Sequence, residues 1–184
     1  MFPGNTVDVT TVAQVKEDLK GWQLTRCLFV GDAGMVSQAN FQALAKGGGK
    51  YLMAMPMRRG DEVTEAVLSR PGRYRKIADN LEVKEVVVGD GERRRRYAVC
   101  FNPQEARRQR AHRDERLREL EAELACLADQ DEGGHGKRVC ALRSSARYGR
   151  LLKETKRGLA IDRQAIAELE RFDGKFVVHS NDDT

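Results

Sequence analysis

Apolar positions recur along the chain with two different periods, and the switching between them predicts most of its elements. In TTVAQVKEDLK, residues 10–20, Val12, Val15 and Leu19 fall at helical spacing behind a threonine cap, which predicts a helix. The short apolar run over 26–31 reads as a buried strand. Ser37 can cap a helix over SQANFQALAK, and Gly47-Gly48-Gly49 supplies its stop. KYLMAMPM, residues 50–57, then reads as a second strand closed by Pro56. A strand, a helix and a strand with short connections predict a βαβ unit with parallel strands and a right-handed crossover.

Beyond Arg58-Arg59-Gly60 the pattern changes. Residues 61–69 predict a short helix ended by Pro71-Gly72, and VKEVVVGDGERRRRYAVCF predicts a hairpin around Gly89-Asp90-Gly91. Asn102-Pro103 opens a long helix over roughly 104–130 that Gly133-Gly134 breaks. Within it Leu117, Leu120, Leu124 and Leu127 form a 3-4-3 apolar seam. So short a seam favours packing on the same chain, with self-association through this face as the alternative. A basic helix over 143–157, a short helix over 162–171 and a last strand, KFVVHS, complete the series.

Charge changes this picture more than composition does. The 184 residues are 40% hydrophobic and 33% charged, enough apolar material for a core, and no apolar run reaches the length of a bilayer span. MFPGNTVDVT lacks the basic and apolar regions of a signal peptide, so the cytoplasm is the expected compartment. The net charge is +5, yet residues 93–118 alone carry ten arginines against Glu105, Asp114 and Glu115. That stretch is +7 and the remainder −2, which points to a polyanionic partner, nucleic acid first. The arginines sit in the first half of the long helix and the acids in its second half. The macrodipole prefers the reverse, so local helix stability does not account for them. Tertiary carboxylates or an external polyanion must do so, and a merely solvated face is the plain alternative. The candidate nucleic-acid contacts are Arg93, Arg94, Arg95, Arg96, Arg107, Arg108, Arg110 and Arg113, with Arg147 and Arg150 from the second basic stretch.

Other chemistry finds little purchase. Cys27, Cys100, Cys126 and Cys140 form no CxxC and are expected as reduced thiols. Cys126, His135 and Cys140 lack a fourth zinc ligand and finger-type spacing. GGGK at 47–50 lacks the spacer and the Ser or Thr of a P-loop. One residue remains. The run CLFVGDAGMVS delivers Asp32 at the end of an apolar strand, where it can be a turn acid or a metal ligand.

The succession FPGNTVDVTTVAQV, CLFVGDAGMVSQANFQAL, KYLMAMPMR, RYAVCFNPQEARRQRAHRDERLREL, RSSARYGRLLK and FDGKFVVHSND resembles the DDE transposases of bacterial insertion sequences. The likeness is to the branch with a large, partly β insertion before the last acidic residue, and VGDAGMVS is its most specific block. It implies an α/β fold: a partial RNase H-like core of parallel strand, helix and strand over 1–57, an α+β insertion with the long helix over 58–172, and a returning core strand over 173–184. In that family two Asp and one Glu hold two Mg²⁺ or Mn²⁺ ions that activate water and then a DNA 3′-hydroxyl, a job for hard oxygen ligands. Asp32 matches the middle acid, so it is the implied catalytic and metal-binding residue. The first Asp would precede Phe2, and the Glu would follow HSNDDT in a Tyr-x₂-Arg-x₃-Glu-x₆-Lys pattern that this chain lacks. An internal fragment, inactive alone, with DNA as partner is therefore the expectation. A non-enzymatic nucleic-acid-binding protein working through residues 93–118 is the alternative. Asp8, Glu62, Glu65, Asp182 and Asp183 read as solvated charges.

Overall fold

The computed structural model describes residues 7–20, 27–57, 62–91, 94–128, 132–156 and 158–182. The chain is mixed α/β and divides into two compact units. One comprises residues 1–102 and 175–184, the other residues 103–174. Boundaries expected at 57/58 and 172/173 thus fall at 102/103 and 174/175. The reason is pairing: the hairpin assigned by sequence to the insertion is hydrogen-bonded into the same sheet as the first strands.

In the first unit, helix α1 (Asp8–Lys20) precedes strand β1 (Leu28–Gly31), helix α2 (Gln38–Ala45) and strand β2 (Lys50–Met55). β1 and β2 pair in parallel, as the strand–helix–strand pattern requires. The expected threonine cap of α1 is instead inside the helix, where Thr10 Oγ1 donates back to Val7 O at 2.7 Å. Ser37 does cap α2, its hydroxyl accepting from Asn40 N at 3.1 Å. The far end of α2 has a second closure besides its glycines. Lys16 Nζ donates to the carbonyls of Ala43, Leu44 and Lys46 at 2.5, 2.8 and 2.7 Å, a cation on the negative end of the helix.

Residues Glu62–Leu68 form a π-helical turn, followed by strands β3 (Arg75–Ala78), β4 (Leu81–Val88) and β5 (Arg95–Phe101). β3 was not foreseen in the sequence; its residues RKIA are all exposed, so they carry no alternation signal. The second unit supplies helices α3 (Pro103–Ala128) and α4 (Glu132–Ser144), strands β6 (Leu152–Thr155) and β7 (Gly158–Ile161), and helix α5 (Arg163–Glu170). Strand β8 (Lys175–Ser180) then returns to the first unit. The helix expected over 143–157 is corrected: from residue 149 the chain makes one 3₁₀ turn and then a β6–β7 hairpin. Its composition favours helix, but Gly158 at φ +109° closes a turn that a helix could not continue through. Gly133-Gly134, expected as a break, lie in the first turn of α4.

The large sheet runs β1-β2-β8-β5-β4-β3. Only the β1–β2 pair is parallel; β8, third in the order, is antiparallel to both its neighbours, β2 and β5. Directly paired residues share a face. One face therefore carries Met53, His179 and Tyr97 in a row, with Val177 and Val99 beside them, all buried. Val12 of α1 and Leu44 of α2 pack on Tyr51 and Met53, while Val63 and Val67 of the π-helical turn pack on Tyr97, Val99 and Val177. The other face keeps Leu28, Val30, Val87 and Phe176 exposed. Gly31 marks how tightly the first face is packed: a Cβ there would stand 2.6 Å from Met53 Sδ. Gly31→Ala is expected to cost about 1–3 kcal/mol through overpacking against a buried side chain. The check is the thermal midpoint, and an unchanged value would show that Met53 can move aside.

In the second unit the leucine seam is buried by its own chain. Leu117, Leu120 and Leu127 cluster with Leu142 of α4, Leu151 and Ile166 of α5, and Leu124 packs on the cluster.

Candidate functional site

Asp32 follows the carboxyl end of β1, where it is exposed. Its Oδ1 accepts from Gly34 N at 2.9 Å, and its carbonyl accepts from Met35 N at 3.2 Å, so it caps the 3₁₀ turn over Ala33–Met35. The turn residue and the candidate ligand are the same side chain. Asn40, buried in α2, locks the segment from below: its Nδ2 donates to both Met35 O and Val9 O at 2.8 Å. That bridge draws the start of α1 toward the turn. A Cβ built on Gly34 would lie 3.2 Å from Asp32 Oδ1 and 3.8 Å from Asp8 Oδ2, so the two carboxylates flank one glycine. Sequence reading set Asp8 aside as a solvated charge; the fold brings it beside Asp32. The only trace of this in the sequence is the polar Asn40 on an otherwise apolar helix face.

Two exposed carboxylates offer hard oxygen donors of the kind Mg²⁺ and Mn²⁺ prefer. Among the described residues, however, no group of three His, Cys, Asp or Glu is placed to hold a cation. The described residues thus supply at most part of the three-carboxylate centre that the transposase resemblance implies. The FPGN block, Asp183 and the side chains of Glu62 and His135 lie outside the described residues, while Cys126 and Cys140 are exposed free thiols.

The arginines sort into three groups. Arg93 lies outside the described residues, whereas Arg94 precedes β5 and Arg95 and Arg96 open it in the first unit. The second group belongs to α3 in the second unit. Arg107 and Arg110 are exposed there, and Arg108 donates to Glu105 at 2.8 Å. That hydrogen bond holds the Glu105 carboxyl below its usual range, with a second from Gln109 adding to it. Arg113 is 8% exposed and forks onto both oxygens of Asp173. It was expected as a nucleic-acid contact; with its donors turned inward it is a structural ion pair instead. In the third group, Arg147 donates to Glu119 and lies 5.4 Å over the Tyr148 ring, and Arg150 is exposed. The stretch 93–118, continuous in sequence, is therefore divided between the two units after residue 102.

Beside the first group opens a cleft of ≈ 510 Å³, lined by Arg94, by Arg95 and Arg96 of β5, by Gln38 and Gln42 of α2, and by Tyr51 and His179 at its floor. The floor is a fixed hydrogen-bond chain. His179 Nδ1 lies 3.0 Å from Arg96 O, which can only accept, so Nδ1 carries hydrogen. In the neutral ring Nε2 then accepts from Tyr51 Oη at 3.1 Å. Burial pushes the Tyr51 phenol above its ordinary range, with the charge of Arg95 offsetting part of the rise. Asn181 pins the rim, accepting from Tyr51 N and donating to Gly49 O at 2.9 and 2.8 Å.

Among the described residues no helix is long and apolar enough to cross a membrane. No family model, no curated protein and no solved structure matches the chain.

Proposed function

We propose that the chain is a segment of a DDE transposase with an RNase H-like core, that Asp32 is the middle carboxylate of its metal-binding triad, and that DNA is the polymer it acts on. One observation carries this reading. VGDAGMVS spells a strand end, a capped turn and a helix start, and Asp32 stands at the carboxyl end of a strand that pairs in parallel with the next. In open α/β sheets that is the edge where ligands gather. Support also comes from the central position of the DGKFVV strand, β8, between β2 and β5. The ions, Mg²⁺ or Mn²⁺, belong to this reading; their remaining ligands would come from outside the described residues.

The test is donor-plasmid excision by the full-length protein that carries these residues. Asp32→Asn is expected to reduce excision on the order of 10³-fold or more, the several kcal/mol that a metal ligand supplies in phosphoryl transfer. Excision within about tenfold of the parent would overturn the reading. A second reading, a nucleic-acid-binding protein without catalysis, is favoured by the arginine-lined cleft. It expects duplex binding that is indifferent to Asp32.

A further inference from the structure

Residues 107–112 of α3 are exposed one after another. A helix that only covers a core hides one position in every three or four; here none is hidden between Ala106 and Arg113. The helix nonetheless has a definite inner side. At about 100° per residue, the buried Arg113, Leu117, Leu120 and Leu127 fall in a stripe about 80° wide. Continued toward the amino end, that stripe passes through Gln109, whose Oε1 accepts from Gly174 N at 2.9 Å. Ala111 lies about 160° round from Arg113, with Arg107 and Arg108 about 120° and 140° to either side and Arg110 on the flank of Arg107. A small crown with an arginine on each shoulder therefore faces away from the core of the second unit.

The shoulders reverse their charge along the helix. In the second half they carry Glu119, Glu121 and Glu123, each met by an arginine from a later part of the chain: Arg147, Arg163 and Arg138. In the first half they carry arginines, and the carboxylate that meets Arg108, Glu105, belongs to the same helix. That pair is a surface one, with the Arg108 side chain 72% exposed, so it yields readily to a stronger anion. Asp114 and Glu115, both exposed, end the cationic segment.

We propose that the amino-terminal segment of α3, residues 104–112, lies in the major groove of duplex DNA, with Ala111 toward the base edges and Arg107, Arg108 and Arg110 toward the phosphates of the two strands. The inference rests on the DNA side of the proposed function and names the surface that meets the duplex. The dimensions agree. A helix with its side chains is about 10–12 Å across, and the major groove is about 12 Å wide. Entry requires a helix open at its sides as well as its crown, which the consecutive exposure provides. Guanidinium groups suit the rims, because their forks match phosphate oxygens two at a time. The major groove of A-form RNA is deep and narrow, so the same geometry selects DNA over double-stranded RNA.

Fluorescence anisotropy of a labelled DNA duplex of mixed sequence, titrated with the full 184-residue chain across a salt series, tests this. For Arg107→Gln/Arg110→Gln the affinity is expected to fall on the order of tenfold at low salt, and the log–log salt slope to become shallower by about 1.8, two phosphates' worth. Both positions are exposed and glutamine is as good a helix former as arginine, so the circular dichroism melt should be unchanged. In the saturated parent complex guanine N7, a major-groove atom, should be protected from methylation by dimethyl sulfate. Unchanged affinity and slope in the double variant, with the parent binding, overturn the assignment and leave the Asp32 excision result untouched. Binding without protection of N7 places the arginines outside the groove and also overturns it. Equal or tighter binding of double-stranded RNA, or displacement of the duplex by polyglutamate beyond a chloride control of equal ionic strength, assigns the face to polyanions at large and overturns the groove. Loss of duplex affinity in the double variant, with excision indifferent to Asp32, upholds the groove contact and removes the transposase reading. Absence of salt-sensitive duplex binding by the parent overturns the inference.

Discussion

Arg113→Ala is expected to destabilise the unit of residues 103–174 by about 3–5 kcal/mol, the cost of leaving a carboxylate behind without its cation. The geometry sets that size. Nη1 and Nη2 reach Asp173 Oδ1 and Oδ2 at 2.8 and 2.7 Å, and Nη2 also reaches Glu170 at 3.3 Å. The Arg113 side chain is 9% exposed and that of Asp173 13%, so solvent screens this pair far less than the surface pairs. The hydrogen bonds that Arg113 donates to Asp173 raise the guanidinium further above its ordinary range, against the opposing effect of burial. Arg113 also ties α3 to the residues that follow α5, some 60 positions later. One donor, Nε, is buried with no partner among the described atoms, so the site is not ideal. An apolar replacement of both partners should consequently cost much less than the single substitution. Urea unfolding followed by amide exchange on α3 and α5 measures the effect. A loss below about 1 kcal/mol, the range of exposed pairs, would show that water reaches the fork.

Arg113 also shows where the sequence stops being informative. Arg110 and Arg113 are the same letter three positions apart, and charge counting treats them alike. One is exposed and the other closed by an acid sixty residues away, a difference that depends on how α5 returns to α3. Local patterns were legible where a period met a cap. The parallel pair, the hairpin β4–β5, the long helix and the last strand follow from apolar spacing ended by Ser37, Gly89-Asp90-Gly91, Pro103 and Asp173-Gly174. β6 and β7 were not, because LKET and GLAI are too short for alternation, and Leu152, Lys153 and Glu154 are good helix formers that extend the preceding basic stretch. The candidate site divides in the same way. Asp32 could be picked out because its motif is local. Asp8 reaches it through the docking of α1 on α2, the Asn40 bridge included, and Tyr51 meets His179 only because β8 inserts beside β2. Long-range pairing leaves no periodic signal, so the second carboxylate and the floor of the cleft had to come from the fold.

Asp32→Asn is expected to leave the fold intact and to abolish excision, and the pairing of those two results is what separates the turn acid from the metal ligand. The amide keeps an oxygen in the position of Oδ1, so Gly34 N–H retains its acceptor at the head of the 3₁₀ turn. Asparagine and aspartate cap about equally well, so the stability change should stay within a few tenths of a kcal/mol. Asp32→Ala removes the acceptor and should cost about 1 kcal/mol. Were Asp32 a capping residue alone, activity would follow stability: Asn like the parent, Ala modestly impaired. Were it a metal ligand, it would behave otherwise. Removing the negative charge lowers affinity for a hard divalent ion whichever residue preserves the turn, and both variants fall together on the order of 10³-fold. Asp8 supplies the internal comparison, since its carboxylate flanks the same glycine from α1. Asp8→Asn should reduce excision by a smaller factor than Asp32→Asn if it tunes the field at that ligand, and by an equal factor if it is itself bound to the ion.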